Sequence, residues 1–438
     1  MRLGVDIGGT FTDLCVVVDG QVAGVGKTLT TAEPAEGVER VIRETLGTLQ
    51  LAAQEVVQVV HATTLVTNAL IQRRGAKTAL LMTAGFRDVV EMARERRSDI
   101  YDVMVDLPAP LVPRHLRFDV PERTLADGSI ARELDEAYVA QLAGELDAHG
   151  VGAVAVCFIN SFANAENERA AAEVIRRTAK DLDVAISADV SPEIREYERA
   201  TTTTASVYVQ QIVSSYLDDL ARRLAAIGIP GGLRVMLSHG GVATPQTAAR
   251  HPIRMLESGP AAGALAAATF GARTGQADLL SFDMGGTTAK LCMIEDGRPL
   301  VTNDFEVDRV NRLKKGSGLP VKTQVLDMIE IGVGGGSIAR ITPLGLLAVG
   351  PRSAGASPGP ACYGQGGEEP TVTDADLVLG YLDPDYFLGG DVRLDAGRAR
   401  EAIERTVAEP LGLDLVRAAF GIHALVDEDM ASAARVHV

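Results

Sequence analysis

Apolar and polar positions alternate through the opening LGVDIGGTFTDLCVVVDGQVAGVGK, which predicts three short strands joined by a Gly-rich turn and an Asp-Gly turn, an antiparallel meander. The same pattern returns in LLSFDMGGTTAKLCMIEDGRPLVT. Aligned without gaps at an offset of 277, Asp6, Gly8, Gly9, Thr10, Leu14, Cys15, Asp19 and Gly20 meet Asp283, Gly285, Gly286, Thr287, Leu291, Cys292, Asp296 and Gly297, so 8 of 15 positions agree. Asp-Gly hairpins are common, but chance would not also reproduce an Asp-x-Gly-Gly-Thr turn at a fixed distance. The pattern predicts two related half-domains.

Between the copies, QEVVQVVHATTLVTNALIQRRGAKTALLMTAGF mixes short strands with a helical stretch, and GVGAVAVCFINSFANAENERAAAEVIRRTAK reads as buried strand, loop and helix. Strands alternating with helices predict an α/β core. The proline-rich DLPAPLVPRHLRFDVPER excludes a regular helix or central strand and predicts an extended loop running into an edge strand. PEIREYERATTTTASVYVQQIVSSYLDDLARRL predicts a long amphipathic helix.

Length and charge narrow the function. At 438 residues there is room for two or three domains, divided here into 1–180 and 181–438. No run of 18 apolar residues appears, so no transmembrane helix is expected, and MRLGVDIGGT lacks a secretory signal, which predicts a cytoplasmic protein. A formal charge of −16 without a basic stripe excludes nucleic acid as partner, whereas a nucleotide can still bind through backbone N–H groups and Mg²⁺. The widely spaced Cys15, Cys157, Cys292 and Cys362 predict buried thiols rather than a disulfide or zinc site.

The chemistry concentrates in the repeated turns. A strand ending in Asp and followed by Gly-Gly-Thr brings main-chain N–H groups and a hydroxyl to a phosphate without Cβ obstruction. Gly8, Gly9 and Thr10 form one such loop and Gly285, Gly286, Thr287 and Thr288 the other, together a clamp for one polyphosphate. Asp6 and Asp283 end apolar strands, where each either holds Mg²⁺ at the cleft floor or braces its own turn; the need of phosphoryl transfer for metal charge favours Mg²⁺. In MIEIGVGGGSIARI, Gly332, Gly334, Gly335, Gly336 and Ser337 lie between a strand and an expected helix start, a third place for close approach to a nucleotide. Glu330 before them is either an acid or base or a structural residue. His61, Thr63, Thr64, Thr67 and Asn68 are either substrate contacts or the cap and loop residues of a helix start. The turn at Gly259-Pro260 in ESGPAAGALAAA is read as close helix packing in preference to a phosphate contact.

VDIGGTFTD, HATTLVTNALIQRRGAKTALLMTAGFRDVVEMAR, SDIYDVM, EYERATTTTASVYV, HGGVAT, ESGPAAGALAAA, SFDMGGTTAKLCMIEDG, EIGVGGGSIA and VGPRSAGASPGPACYGQGG resemble, in that order, the signatures of the hydantoinase A / 5-oxoprolinase family. The resemblance runs from the first residue to the last. It implies an actin/hexokinase/Hsp70-like (ribonuclease H-like) ATPase fold with duplicated phosphate-binding hairpins and an inserted α/β hydantoinase-type region. It also implies ATP and Mg²⁺ as cofactors, with Asp13 of the first signature joining the nucleotide-binding set. Similar proteins activate an amide, imide or ketone oxygen with ATP, opening a lactam or carboxylating a ketone, usually with a larger hydantoinase B-type subunit. A homo-oligomer is also compatible. The leading expectation is therefore ATP-dependent hydrolysis of a small cyclic amide such as a hydantoin or 5-oxoproline. In that reading Asp6, Asp283 and Glu330 are catalytic, and His61, Thr63, Thr64 and Asn68 place the substrate. The alternatives are a carboxylase subunit or an inactive fragment. Lys290 stands where many relatives carry an acid, and relatives continue past ASAARVHV into another glycine-rich segment, so full activity is expected to need more chain.

Overall fold

A computed structural model describes the chain except for residues 9, 10, 32, 96–99, 103, 105, 230, 311–315, 391 and 438. The opening meander forms as the alternation predicts: β1 (Arg2–Ile7), β2 (Phe11–Val18) and β3 (Gln21–Leu29) pair antiparallel. Leu3, Val5 and Ile7 project from one face of β1 and are buried beneath the helices Pro34–Thr48 and Glu196–Ala226. Each such side chain stabilises the fold by roughly 1.5–3 kcal/mol. β4 (Gln58–Thr63) lies parallel to β1 on its other edge.

The chain then builds a second, parallel sheet from β5 (Thr78–Thr83), β6 (Arg117–Val120), β9 (Ala153–Cys157) and β10 (Asp183–Ile186). β7 (Arg123–Thr124) and β8 (Ile130–Arg132) form a small ribbon beside it. β6, the strand after the proline-rich loop, is an edge, since Pro cannot donate to a ladder. β11 (Leu233–Met236) and β12 (Val242–Ala243) return to the first sheet, whose order is β12-β11-β4-β1-β2-β3. That sheet therefore draws on both sides of residue 180.

The 31-residue helix Glu196–Ala226 departs from the expected amphipathic pattern in its first half, where it is wedged between the sheets. Ala200 and Val207 enter the core of the second sheet, whereas Val209, Val213, Leu217 and Leu220 enter that of the first. The stretch from Glu198 to Val209, covered on both sides, has no polar face to display, whereas from Gln210 onward the expected amphipathic pattern holds, with Gln211, Ser215, Asp218 and Arg222 exposed and Val213, Leu217, Leu220 and Leu224 buried.

The second half repeats the hairpin. β13 (Leu279–Met284), β14 (Ala289–Glu295) and β15 (Arg298–Pro299) run antiparallel, and β18 (Met328–Ile331) pairs with β14. β16 (Val301–Val307) and β17 (Leu319–Leu326) form one ribbon; β19 (Ser337–Ile341) and β20 (Leu347–Ser353) form another. The residues after Gly336, expected to start a helix, instead enter β19, since Ala339, Arg340 and Ile341 pair with β20 and Ile338 bridges to Thr371. The helices Val372–Leu379 and Leu415–His437 pack with β14 and β18 around Leu291 and Ile331. The structure is thus mixed α/β with a duplicated hairpin. All four cysteines are free, and among the described residues no helix is long and apolar enough to cross a membrane.

Candidate functional site

The two hairpins match at the level of single bonds. Gly8 N–H donates to Phe11 O at 2.9 Å, and 277 residues later Gly285 N–H donates to Thr288 O at 2.9 Å. Gly9 and Thr10, expected to contact phosphate, lie outside the described residues. In the ladders Asp6 faces Asp13 and Asp283 faces Lys290.

The helix Ser258–Thr274 passes both aspartates with one face. A Cβ on Gly259 would stand 2.8 Å from Asp6 Oδ1, and one on Gly263, a turn later, 3.5 Å from Asp283 Oδ2. Only glycine lets the start of this helix come so close to the first carboxylate, and its dipole favours negative charge there. Asp6 is pushed up to about 6 by burial, with Asp13 and Asp283 adding their like charge. Its Oδ1 is buried and accepts no hydrogen bond from the protein. Among the described residues no group of three or more metal-binding side chains gathers, and Asp283 is exposed; the orphaned Asp6 oxygen with Asp283 nearby fits Mg²⁺ as a two-carboxylate set that substrate phosphates would complete.

The third glycine cluster buttresses the second hairpin. Gly335 N–H donates to Gly285 O at 3.0 Å, Gly336 N–H to Gly286 O at 2.7 Å, and Gly334 N–H to Ser337 Oγ at 3.0 Å. These amides are spent inside the protein, so close backbone approach is required, but toward another loop. A Cβ on Gly334 would lie 2.6 Å from Gly285 O and 2.7 Å from Thr287 N. Thr373 secures the cluster by donating both its N–H and its hydroxyl to Gly335 O at 2.8 Å.

The stretch from His61 to Asn68 ties the first hairpin to that helix. Ser258 Oγ accepts from the Thr63 N–H and donates to the Thr63 carbonyl, both at 3.0 Å. Thr64 donates from its N–H and hydroxyl to Ile7 O at 3.3 and 3.4 Å, and Asn68 Nδ2 donates to Thr64 Oγ1 at 3.1 Å. His61 is fully enclosed in the first sheet's core, its Nε2 2.8 Å from the Tyr216 hydroxyl. Burial pushes it down to about 4, so it is neutral at pH 7. Of the four residues expected to place the substrate, Thr64 and Asn68 are partly exposed beside the hairpin, whereas His61 and Thr63 are internal.

Sequence reasoning passed over Glu257. It precedes the helix in a left-handed conformation (φ 51°, ψ 32°) that non-glycine residues rarely adopt, and it is buried. Burial raises its pKa; Lys290 Nζ, 3.6 Å from its Oε2, opposes the rise. Lys290 also lies 3.4 Å from Glu330 Oε1 and donates to Thr288 Oγ1 at 2.9 Å. Burial pulls the Lys290 ammonium down, but Glu257 and Glu330 outweigh it and hold its pKa above the usual value. An acid immediately before a Ser-Gly-Pro helix start was the available signal.

The chain matches the hydantoinase/oxoprolinase N-terminal region over residues 2–179 and the hydantoinase/oxoprolinase family over residues 199–437. The chain belongs to the hydantoinase/oxoprolinase family. Among curated relatives of this family member, the caprolactamase alpha subunit of Pseudomonas jessenii is 35% identical over 99% of the chain and 62% of its own length. The acetophenone carboxylase gamma subunit of Aromatoleum aromaticum is 32% identical over 99% and 60%. An uncharacterized Methanocaldococcus jannaschii protein is 39% identical over 99% and 64%. The solved nucleotide-free acetone carboxylase superposes with a TM-score of 0.83 at 30% identity, over the whole chain and 62% of the other. The ATP-dependent caprolactamase from Pseudomonas jessenii gives 0.81 at 35%, over 99% and 63%. This hydantoinase/oxoprolinase chain thus spans less than two thirds of the relatives it matches.

Proposed function

We propose that this chain binds ATP between its two hairpins and transfers the γ-phosphoryl group to a carbonyl oxygen of a small cyclic amide, so that water can open the ring. The observation that carries this is the orphaned Asp6 carboxylate beside Asp283, approached by the glycine face of one helix. Asp6 and Asp283 are the residues that would hold Mg²⁺, which would supply the positive charge that phosphoryl transfer needs. Gly286 and Thr287 present main-chain amides and a hydroxyl to the polyphosphate, and the Gly334–Gly336 buttress fixes their position. Thr64 and Asn68, partly exposed beside the first hairpin, orient the substrate, with His61 and Thr63 as their buried support. Glu330 and Lys290 lie at the rim of the second hairpin, where the ion pair keeps the ammonium charged and in place.

Support for ATP and a lactam comes from the likeness to an ATP-dependent caprolactamase. The likeness to acetone carboxylase favours a second reading, in which the activated oxygen belongs to a ketone. ADP release measured with the chain and a larger hydantoinase B-type subunit distinguishes them. Release that requires hydantoin, 5-oxoproline or another cyclic amide supports the hydrolase, whereas release that requires a ketone plus bicarbonate supports the carboxylase. Asp283→Ala is expected to abolish release with the fold intact, and release near the starting rate would overturn the assignment.

A further inference from the structure

Glu257 carries a buried oxygen that the described residues leave unsatisfied. The residue is 6% exposed, and its Oε2 accepts no hydrogen bond from them. Lys290 Nζ, at 3.6 Å, stands beyond hydrogen-bond reach and donates instead to Thr288 Oγ1 at 2.9 Å. A carboxylate oxygen held out of water without a donor is costly, and a donor brought by a ligand relieves that cost.

The backbone fixes where this oxygen lies. Glu257 adopts its left-handed conformation at φ 51°, its N–H donates to Thr67 Oγ1 at 3.4 Å, and Ser258 bonds the Thr63 main chain in both directions. Backbone strain of this kind persists only where the surroundings impose it, and it gathers at functional sites. Thr64, Thr67 and Asn68 stand three and four residues apart and are all partly exposed, so Thr67 belongs to the face assigned above to the substrate. Glu257 thus touches that face through Thr67 and the second hairpin through Lys290 and Thr288.

The reaction proposed above needs a group at this junction. As the amide oxygen bonds to the γ-phosphorus, the bond from that phosphorus to the β,γ-bridging oxygen breaks and its electron pair leaves with ADP. The amide nitrogen then carries positive charge unless its proton departs. Loss of the proton turns the N–H electron pair into the second bond of C=N and leaves an O-phosphoryl imidate.

We propose that Glu257 is a catalytic residue, its Oε2 accepting first the hydrogen bond and then the proton of the substrate's amide N–H. The proposal rests on the cyclic-amide reading of the site. A ketone has no N–H to offer this oxygen, so the same residue selects for the amide. Burial raises the carboxyl's pKa and makes it a stronger base, while Lys290 opposes the rise and favours the ionised form.

The test measures ADP release by the chain with a larger hydantoinase B-type subunit, comparing the native chain with Glu257→Gln. The substrates are 5-oxoproline, a lactam, and succinimide, a cyclic amide with a more acidic N–H. Gln keeps the shape and an accepting oxygen but takes no proton. With 5-oxoproline kcat is expected to fall at least about a hundredfold in Glu257→Gln, while calorimetric affinity for a slowly hydrolysed ATP analogue stays within about twofold. With succinimide the loss is expected to be at least about tenfold smaller, because a more acidic N–H depends less on the base. A merely structural role would lower both rates by one factor. Equal losses for the two substrates, ADP release by Glu257→Gln near the native rate, or loss of analogue binding in Glu257→Gln overturns the proposal and leaves the cyclic-amide reading standing. A native chain that releases ADP with neither substrate overturns that reading and the proposal with it.

Discussion

Asp13 and Lys290 occupy the same register position in two copies of one hairpin, each facing the aspartate that ends the preceding strand, yet they carry opposite charge. Asp13 is held by Lys27 at 2.6 Å on a half-exposed edge, whereas Lys290 is turned toward the buried Glu257 and toward Glu330. The first hairpin thus gathers negative charge around Asp6, and the second spends its cation on a neighbouring acid. Lys290→Met leaves Glu257 without that cation, and removing one partner of a buried pair costs about 3–5 kcal/mol. Urea unfolding is expected to show a loss of that size, and Lys290→Met combined with Glu257→Gln is expected to recover most of it.

Asp6 gives the fold a pH signature. Its folded value of about 6 exceeds the ordinary 3.8, so the folded chain binds the proton more tightly than the unfolded one. The associated stability is complete below pH 3.8 and is lost as pH rises through about 6. Asp6→Asn is therefore expected to be more stable than the native chain at pH 7, by up to about 3 kcal/mol, with the difference vanishing near pH 4. Thermal unfolding from pH 4 to pH 8 checks this. Magnesium-dependent stabilisation is expected to strengthen over the same rise in pH, as the carboxylate loses its proton.

His61 acts in the opposite sense. Its folded value of about 4 lies below the ordinary 6.5, so its contribution is complete above pH 6.5 and is lost as pH falls through about 4. His61→Leu is expected to flatten the acid side of the stability curve in that window. Tyr216→Phe removes the partner of Nε2 and is expected to cost about 1–3 kcal/mol at pH 7, read by chemical unfolding.

Gly334→Ala tests the buttress. The added Cβ would press into Gly285 O and Thr287 N, both main chain, so the second hairpin must shift. Nucleotide affinity is expected to fall at least about tenfold, the consequence of displacing a positioned loop by even a fraction of an ångström. Gly47→Ala, near the end of the helix Pro34–Thr48 with open space around it, is the control, expected to gain about 0.5–1 kcal/mol and leave affinity unchanged.

What was legible in the sequence was what local patterning decides. Asp-Gly turns and apolar alternation located both hairpins, and the prolines before Arg117 located an edge strand, because turn geometry and ring closure act within a few residues. The helix Glu196–Ala226 was legible as a helix but not as a shared core element, since burial on two sides depends on sheets formed elsewhere. Gly334, Gly335 and Gly336 signalled close approach without revealing that another loop was the neighbour. His61 was undecided because the neighbours that enclose it, Val5 and Val235 in the flanking strands and Tyr216 155 residues away, are set by the tertiary fold. Glu257 was hidden because its strained backbone and its pairing with Lys290 both arise from tertiary packing.

Asp6 and Asp283 are proposed to hold a magnesium nucleotide jointly between the hairpins. Calorimetric titration of the chain with Mg²⁺ and a slowly hydrolysed ATP analogue tests it most directly, with Asp6→Asn and Asp283→Ala alongside. Saturable binding that requires Mg²⁺ and is lost in both variants is the expected result; binding that both variants retain at native affinity, or no binding by the native chain, would contradict it.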